Sequence, residues 1–471
     1  MTLRSNGSSG RAATLAVAGL FLAVFSGCGR PPAAEFVPPN IFLVSLDTVR
    51  RDAVAAHGAE NALALAGFAR DAVVFDNAYT TIPFTLPAHM SMFTGLHHVE
   101  HGVEGRKDVL GPSTGTVAEE LRQKGYATAG IYTSDWLKPE FGFDRGFESY
   151  ETIPHRATYA DRAIRRTFEI VDGRADDDRP LFLFLHLYDA HSDFVKQSGT
   201  NLPYYSPEAY RQDLAETVED RFCDREGNCA TSYLLAADKE RREVSSAETE
   251  LIHDLYRRGC RHLDHDLEAL FAGLRERGLY EGAVIILTSD HGEEFREHGK
   301  FIHSQVYEES VAVPLLVKLP KHENAGEHIG SLVTLMDIHT MVLAMAGGDQ
   351  SPTDPRRKSD TGGFGFDGRD SVLFQDKLWK PAWGLRTGNW KLVRDRQSGM
   401  TALFQPSSDS AELHDVSDRH PDVVHRLTVM MEERIKALRQ HAAILATTPT
   451  TAANSLNAEE EERLKALGYL D

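Results

Sequence analysis

Five short runs of almost uninterrupted apolar residues constrain this chain more than any other feature. They lie at residues 41–46, 127–132, 181–187, 284–287 and 313–319. A strand with one wet face alternates apolar and polar residues, so runs without alternation are covered on both faces. Helical patterns separate them. The clearest places Ile252, Leu255, Tyr256, Leu263, Leu267, Leu270 and Leu274 on one stripe, with Gly278 as its stop. Strands alternating with helices predict an α/β fold around a largely parallel sheet.

The chain of 471 residues has room for one large domain or two. It carries 70 acidic against 51 basic residues, a net charge of −19, which excludes nucleic acid as a natural partner. An anionic substrate must then be drawn in by a local site such as a metal. Arg4 and Arg11 precede an apolar stretch over residues 15–25. That stretch is shorter than the roughly 20 residues a bilayer requires, and it reads as the core of a signal peptide. It runs into Phe25-Ser26-Gly27-Cys28, which resembles the lipobox of bacterial lipoproteins. The expectation is a signal peptide over 1–27 and a lipidated tether over 28–39. The product is an exported, membrane-anchored lipoprotein, periplasmic or on the cell surface. The alternative is an ordinary secretory signal that discards Cys28. Cys223 and Cys229 bracket a short polar loop, and a local disulfide is plausible in an exported chain. Cys260 reads as a buried free thiol on a helix.

The expected organisation is a main domain over 40–349 with a polar insertion or lid at 195–246. A Pro/Gly-rich linker follows over 350–368. A C-terminal subdomain occupies 369–445, with a small antiparallel sheet from 383–394 and 402–416 and then a helix. The tail, 446–471, contains a short acidic helix.

The chemistry stands where the apolar runs end. Asp47 follows the first, Asp189 and His191 the third, and Asp290-His291 the fourth. Ligands of open α/β sheets bind outside the carboxyl ends of strands, so these groups can converge on one crevice. A second element runs over 81–95. Thr85 reads as an N-cap, Pro87 suits the first turn, and Gly95 ends the helix. His89 lies four residues on, on the face of Thr85. A helix N-terminus attracts anions and eases ionisation of a hydroxyl. Beside a divalent cation, Thr85 could become a nucleophile. His262, His265, Asp264 and Asp266 read as the solvated face of the long helix. Glu293, Glu294, Glu297 and His298 read equally well as support for the site or as a polar loop.

Residues 40–48, 85–95 and 288–294 together resemble three signatures of the sulfatase family, within the alkaline phosphatase superfamily. Residues 142–147, 307–314 and 385–392 are similar to further family segments in the same order, and 464–469 to tails of bacterial members. The resemblance implies an alkaline-phosphatase-like central mixed, largely parallel sheet between helices, with a smaller C-terminal α+β subdomain. It implies one divalent cation held by Asp47, Asp290 and His291, with Thr85 completing the site. Ca²⁺ is the family's usual ion, and Mg²⁺ or Mn²⁺ also suit these donors. By the same resemblance His191 lies near the bridging ester oxygen and His303 beside the transferred group. His89 takes the place of an arginine that steadies the nucleophile.

The chain departs from the family pattern in several ways. Thr85 stands where sulfatases have a cysteine or serine that matures to formylglycine, so no formylglycine is expected. Thr48 replaces a second metal-binding Asp, and His291 stands where many members have Asn. Residues 131–136 lack the family's Lys and His. The expectation is a sulfatase-like, metal-dependent hydrolase of sulfate or phosphate esters with a Thr nucleophile. Its substrate would be a sulfated or phosphorylated glycan, lipid or small molecule. The alternatives are a phosphodiesterase or a phosphoglycerol- or phosphoethanolamine-type transferase of the superfamily, or a non-catalytic metal-binding lipoprotein.

Overall fold

β1 (Ile41–Leu46) runs through the middle of the principal sheet, and its burial shows why no polar alternation is written into it. In this computed structural model every one of its residues is buried. Ile41 and Leu43 face one core and Phe42, Val44 and Leu46 the other. The structure describes residues 36–54, 63–153, 159–192, 243–347, 368–377 and 381–445, with short stretches between 202 and 239. The leader, Cys28, most of the tether, half of the 195–246 insertion, nearly all of the linker and the tail helix lie outside the described residues.

The strands that follow are β2 (Val73–Tyr79), β3 (Ala127–Tyr132), β4 (Ser149–Thr152), β5 (Leu181–Leu187), β6 (Val284–Thr288), β7 (Glu294–Phe295), β8 (Phe301–Ile302), β9 (Leu315–Lys318) and β10 (His328–Thr334). Seven of them join β1 in one eight-stranded sheet in the order β10-β2-β9-β6-β1-β5-β3-β4, while β7 and β8 make a separate hairpin. β1 pairs in parallel with both β5 and β6. β9 runs antiparallel to its two neighbours, which makes the sheet mixed. The apolar run at 313–319 is a strand only over Leu315–Lys318. β2, β4 and β10 have no comparable apolar run: β4 is an edge strand with exposed ends, and β10 is buried only in its last three residues.

One core lies under the helices Leu63–Asp71, Tyr159–Asp172 and Ser246–Glu276. The other lies under Thr85–Thr94, Val117–Gln123 and Met336–Met345. The 31-residue helix Ser246–Glu276 begins with a reciprocal cap between Ser245 and Glu248. A second sheet, β11 (Ser371–Asp376), β12 (Ala382–Thr387), β13 (Lys391–Asp395) and β14 (Thr401–Phe404), is antiparallel throughout. Sequence placed its strands at 383–394 and 402–416, so β11 was missed and residues 405–416 are not strand. One face of this sheet packs under the helix Pro421–Leu445 through Leu385, Leu392, Leu427 and Met431. Among the described residues no helix is long and apolar enough to cross a membrane. Cys223 and Cys229 form a disulfide, and Cys260 is a half-buried free thiol.

Candidate active site

Because β5, β1 and β6 run in parallel register, with Ser45 opposite both His186 and Thr288, their following loops leave the sheet at one edge. The Asp47 amide donates to Leu187 O at 2.9 Å. Thr48 then adopts φ +59°, a left-handed conformation uncommon for a β-branched residue. That turn lets its amide donate to Asp290 Oδ1 at 3.2 Å. Tyr256, from the long helix, holds the turn from behind by donating to Thr48 O and accepting from the Arg50 amide.

Asp47, Asp290 and His291 thereby come together, each fully buried, with ligand atoms within 4.8 Å of one another. The carbonyl of Gly292 can only accept, so His291 Nδ1 is the protonated nitrogen in its 3.0 Å bond to it. The Nε2 lone pair is left facing inward, 3.2 Å from Asp290 Oδ2 and 3.3 Å from Thr85 Oγ1. Among the described residues no hydrogen-bond donor reaches Asp290 Oδ2, although it is buried. Two acceptors turned toward one buried point, beside a second carboxylate, fit a cation.

Thr85 does not cap its helix. The N-cap position belongs to Phe84, without a side-chain cap, and Thr85 is the first helical residue. Its hydroxyl is therefore not used on a backbone amide and faces His291 instead. Gly95 ends the helix in the left-handed conformation, as the sequence suggests. His89, one turn on, donates from Nδ1 to Thr85 O at 2.9 Å and accepts at Nε2 from the Ser45 hydroxyl at 2.8 Å. It thus ties the first helical turn to β1.

Sequence reasoning missed His186. Its Nε2 lies 3.1 Å from Asp47 Oδ2, and Thr133 Oγ1 lies 3.0 Å from its Nδ1. The only available signal was a single imidazole in the otherwise apolar run Leu181–Leu187. Burial takes the imidazoles of both His89 and His186 down to about 4, so both are neutral near neutral pH. Burial works the other way on Asp290, but His291, His89, His186 and the Thr48 amide outweigh it and bring its carboxyl down to about 2.

His191 and His303 reach the same crevice. The His191 ring stacks on Tyr188, with centroids 4.3 Å apart, and the His303 ring lies 5.4 Å from His191 and 4.2 Å from His291. Glu293 sets His303 through a 3.2 Å contact to Nδ1 and is itself held by Tyr204 OH at 2.7 Å. The other polar residues of that loop are used in the scaffold. Glu294 accepts from the Ser304 and Gln305 amides and the Ser310 hydroxyl, Glu297 pairs with Arg50, and His298 pairs with Glu309.

Two expectations need correction. Asp189 does not join the crevice; its Oδ1 accepts from the Ala160 amide, and the residue groups with His262 and Asp266. Nor are His262, Asp264 and Asp266 a solvated face: all three are buried, and only His265 is exposed. Asp264 accepts from the Ala64 and Leu65 amides at the start of the helix Leu63–Asp71. An amphipathic pattern marks the apolar stripe but is silent about what covers the polar one.

Comparison with known proteins agrees with this architecture. Arylsulfatase K of Bos taurus is 24% identical over 435 residues, spanning 79% of this chain and 76% of that protein. The phosphonate monoester hydrolase of Agrobacterium radiobacter superposes with a TM-score of 0.63 at 18% identity, covering 86% of this chain and 96% of that one. A protein solved in complex with its substrate D-glucosamine-2-N,6-O-disulfate superposes with a TM-score of 0.64 at 17% identity, covering 86% and 99%. The family model described as Sulfatase matches residues 39–348, about two-thirds of the sequence. With that match laid over the sheet strands, their loops and the helix that begins at Thr85, the chain belongs to the sulfatase family.

Proposed function

We propose that this chain is a metal-dependent hydrolase of an anionic ester, sulfate or phosphate, with Thr85 as its nucleophile. The observation that carries the reading is the Thr85 hydroxyl, which begins a ten-residue helix and lies 3.3 Å from His291 Nε2, beside Asp47 and Asp290. Asp47, Asp290, His291 and Thr85 would hold a divalent cation, and one imidazole among oxygens suits Ca²⁺, Mg²⁺ or Mn²⁺. When bound, such an ion polarises the non-bridging oxygens of the ester and eases ionisation of a neighbouring hydroxyl. Thr85 Oγ1, its proton passed to solvent water and its backbone held by His89, attacks the sulfur or phosphorus in line as the bond to the bridging ester oxygen breaks. His186 keeps the Asp47 carboxylate oriented. His191 gives a proton to the departing alkoxide, and His303, set by Glu293, supports the transferred group. Water then releases that group from Thr85.

Oxidation of threonine would yield a ketone, so Thr85 works as a plain alcohol. That favours phosphate esters, while the family relationship favours sulfate esters. The substrate class is a sulfated or phosphorylated glycan, lipid or small molecule. The test is a panel of 4-nitrophenyl sulfate, phosphate and phosphodiester substrates with added Ca²⁺, Mg²⁺ or Mn²⁺, followed by acid quench of a labelled ester. Cation-dependent turnover and label on the Thr85 peptide are expected. An absence of turnover with every ester and cation would mark a metal-binding lipoprotein instead. We also propose export and lipid anchoring at Cys28, with which the Cys223–Cys229 disulfide is compatible. Mass analysis of the mature N-terminus should find acylated Cys28, and a soluble form lacking it would overturn the anchor.

A further inference from the structure

The loop that leaves β5 carries Asp189 two residues before His191, and it is packed against the long helix Ser246–Glu276. On that helix His262 and Asp266 are spaced i, i+4 and so lie on one face, turned to the loop. Asp189, His262 and Asp266 each offer one ligand atom, and these atoms lie within 4.8 Å of one another. None of these residues belongs to the Asp47 centre. Asp189 is 1% exposed, and its Oδ1 is satisfied by the Ala160 amide. Its Oδ2 is buried and meets no hydrogen-bond donor among the described residues, and neither does Asp266 Oδ2, 3.8 Å from His262 Nε2. Asp161 adds further negative charge around both acids, and the exposed His265 opposes it at Asp266.

We propose that Asp189, His262 and Asp266 form a second cation site, for Zn²⁺ or another first-row divalent metal. Two carboxylates and one imidazole are a donor set such ions accept, with water completing the shell. Without an ion, two buried carboxylates meet at an imidazole with no hydrogen-bond donor for Asp189 Oδ2 or Asp266 Oδ2 among the described residues. A cation would hold both carboxylates ionised and the imidazole neutral, the states ligation needs. It would also join three elements: the loop bearing His191, the long helix, and through Ala160 the first turn of Tyr159–Asp172. Its role is to fix the backbone that presents His191.

The experiment is metal stoichiometry of the full mature chain, stripped with chelator, reloaded with Zn²⁺ and freed of excess ion. Asp266→Asn and His262→Gln should each remove one equivalent by elemental mass spectrometry, whatever the Asp47 centre holds. Asp290→Asn should leave the equivalent bound at Asp266. Equal zinc content in the wild type and both folded helix variants overturns the proposal. Wild-type crystals soaked in Zn²⁺ decide the matter without any variant. An anomalous peak among Asp189, His262 and Asp266 supports the site, and its absence, with the acids sharing protons instead, overturns it.

Discussion

Thr85 and His186 show what single side chains contribute. The Thr85 hydroxyl caps nothing, so its removal should leave folding almost untouched while removing the proposed nucleophile. Thr85→Ala is expected to lower kcat by roughly 10³-fold or more with folding free energy changed by less than about 1 kcal/mol. Thr85→Ser should keep measurable turnover. Steady-state kinetics beside a thermal melt check this, and full activity in the alanine variant would make water the attacking group. His186 holds Asp47 through its Nε2, 3.1 Å from Oδ2. His186→Gln should weaken divalent-cation affinity by about 10–100-fold, the usual effect of losing a partner that orients a ligand. Calorimetric titration with Mn²⁺ reads it, and unchanged affinity would reduce His186 to a packing residue. Of this pair only Thr85 was legible in the sequence, because a local segment with its own helix signals surrounds it. His186 sits in an apolar run, and its use depends on its register with Ser45 on another strand.

Among elements, the loop after β6 depends on one close approach. Gly292 N donates to Ser310 O at 2.8 Å and Glu293 N to Glu309 O at 3.0 Å, which lays residues 308–311 against the loop bearing Asp290 and His291. A Cβ on Gly292 would stand 1.9 Å from Glu309 O, a backbone atom that cannot swing aside. Gly292→Ala should therefore destabilise the fold by about 1–3 kcal/mol, in the range of overpacking. It should also displace the Gly292 carbonyl and, with it, the His291 ring bonded to it. A lowered urea midpoint together with weakened Mn²⁺ binding is expected, and a wild-type midpoint would show that the loop yields. The glycine after Asp290-His291 was visible in the sequence, but the segment that presses on it was not. The long helix teaches the same lesson, since its polar stripe is roofed by the β5 loop and by Leu63–Asp71.

Across the whole molecule, the two sheets are joined by buried charge. Lys391 on β13 is fully buried, 2.9 Å from Glu412 and 3.3 Å from Glu308, while Arg51 reaches Glu308 at 3.0 Å. Burial alone would lower the Lys391 ammonium, but the carboxylates of Glu412 and Glu308 prevail and raise it. Lys391→Met would leave two buried carboxylates short of a counter-charge. A loss of about 3–5 kcal/mol is expected from breaking such a pair on one side. Denaturant unfolding measures it, and a loss below about 1 kcal/mol would mean that water reaches the joint. Two segments noted for family resemblance, 307–314 and 385–392, thus meet as glue between the sheets, and the first also backs the loop that bears Asp290 and His291.

The chain by itself determined the layered α/β architecture and the strand-end placement of Asp47, Asp290 and His291, since unbroken apolar runs mark covered strands and strand ends gather at one edge; local helix signals marked Thr85, and the family resemblance joined it to them. It left undecided every feature that depends on which surface covers which. The burial of His262 and Asp266, the service of His186 to Asp47, the path of β9 and the pairing of Lys391 with Glu308 all arise from contacts between residues far apart in sequence. Periodicity reports the face an element turns inward, and only tertiary packing supplies the partner that makes a buried charge or imidazole tolerable.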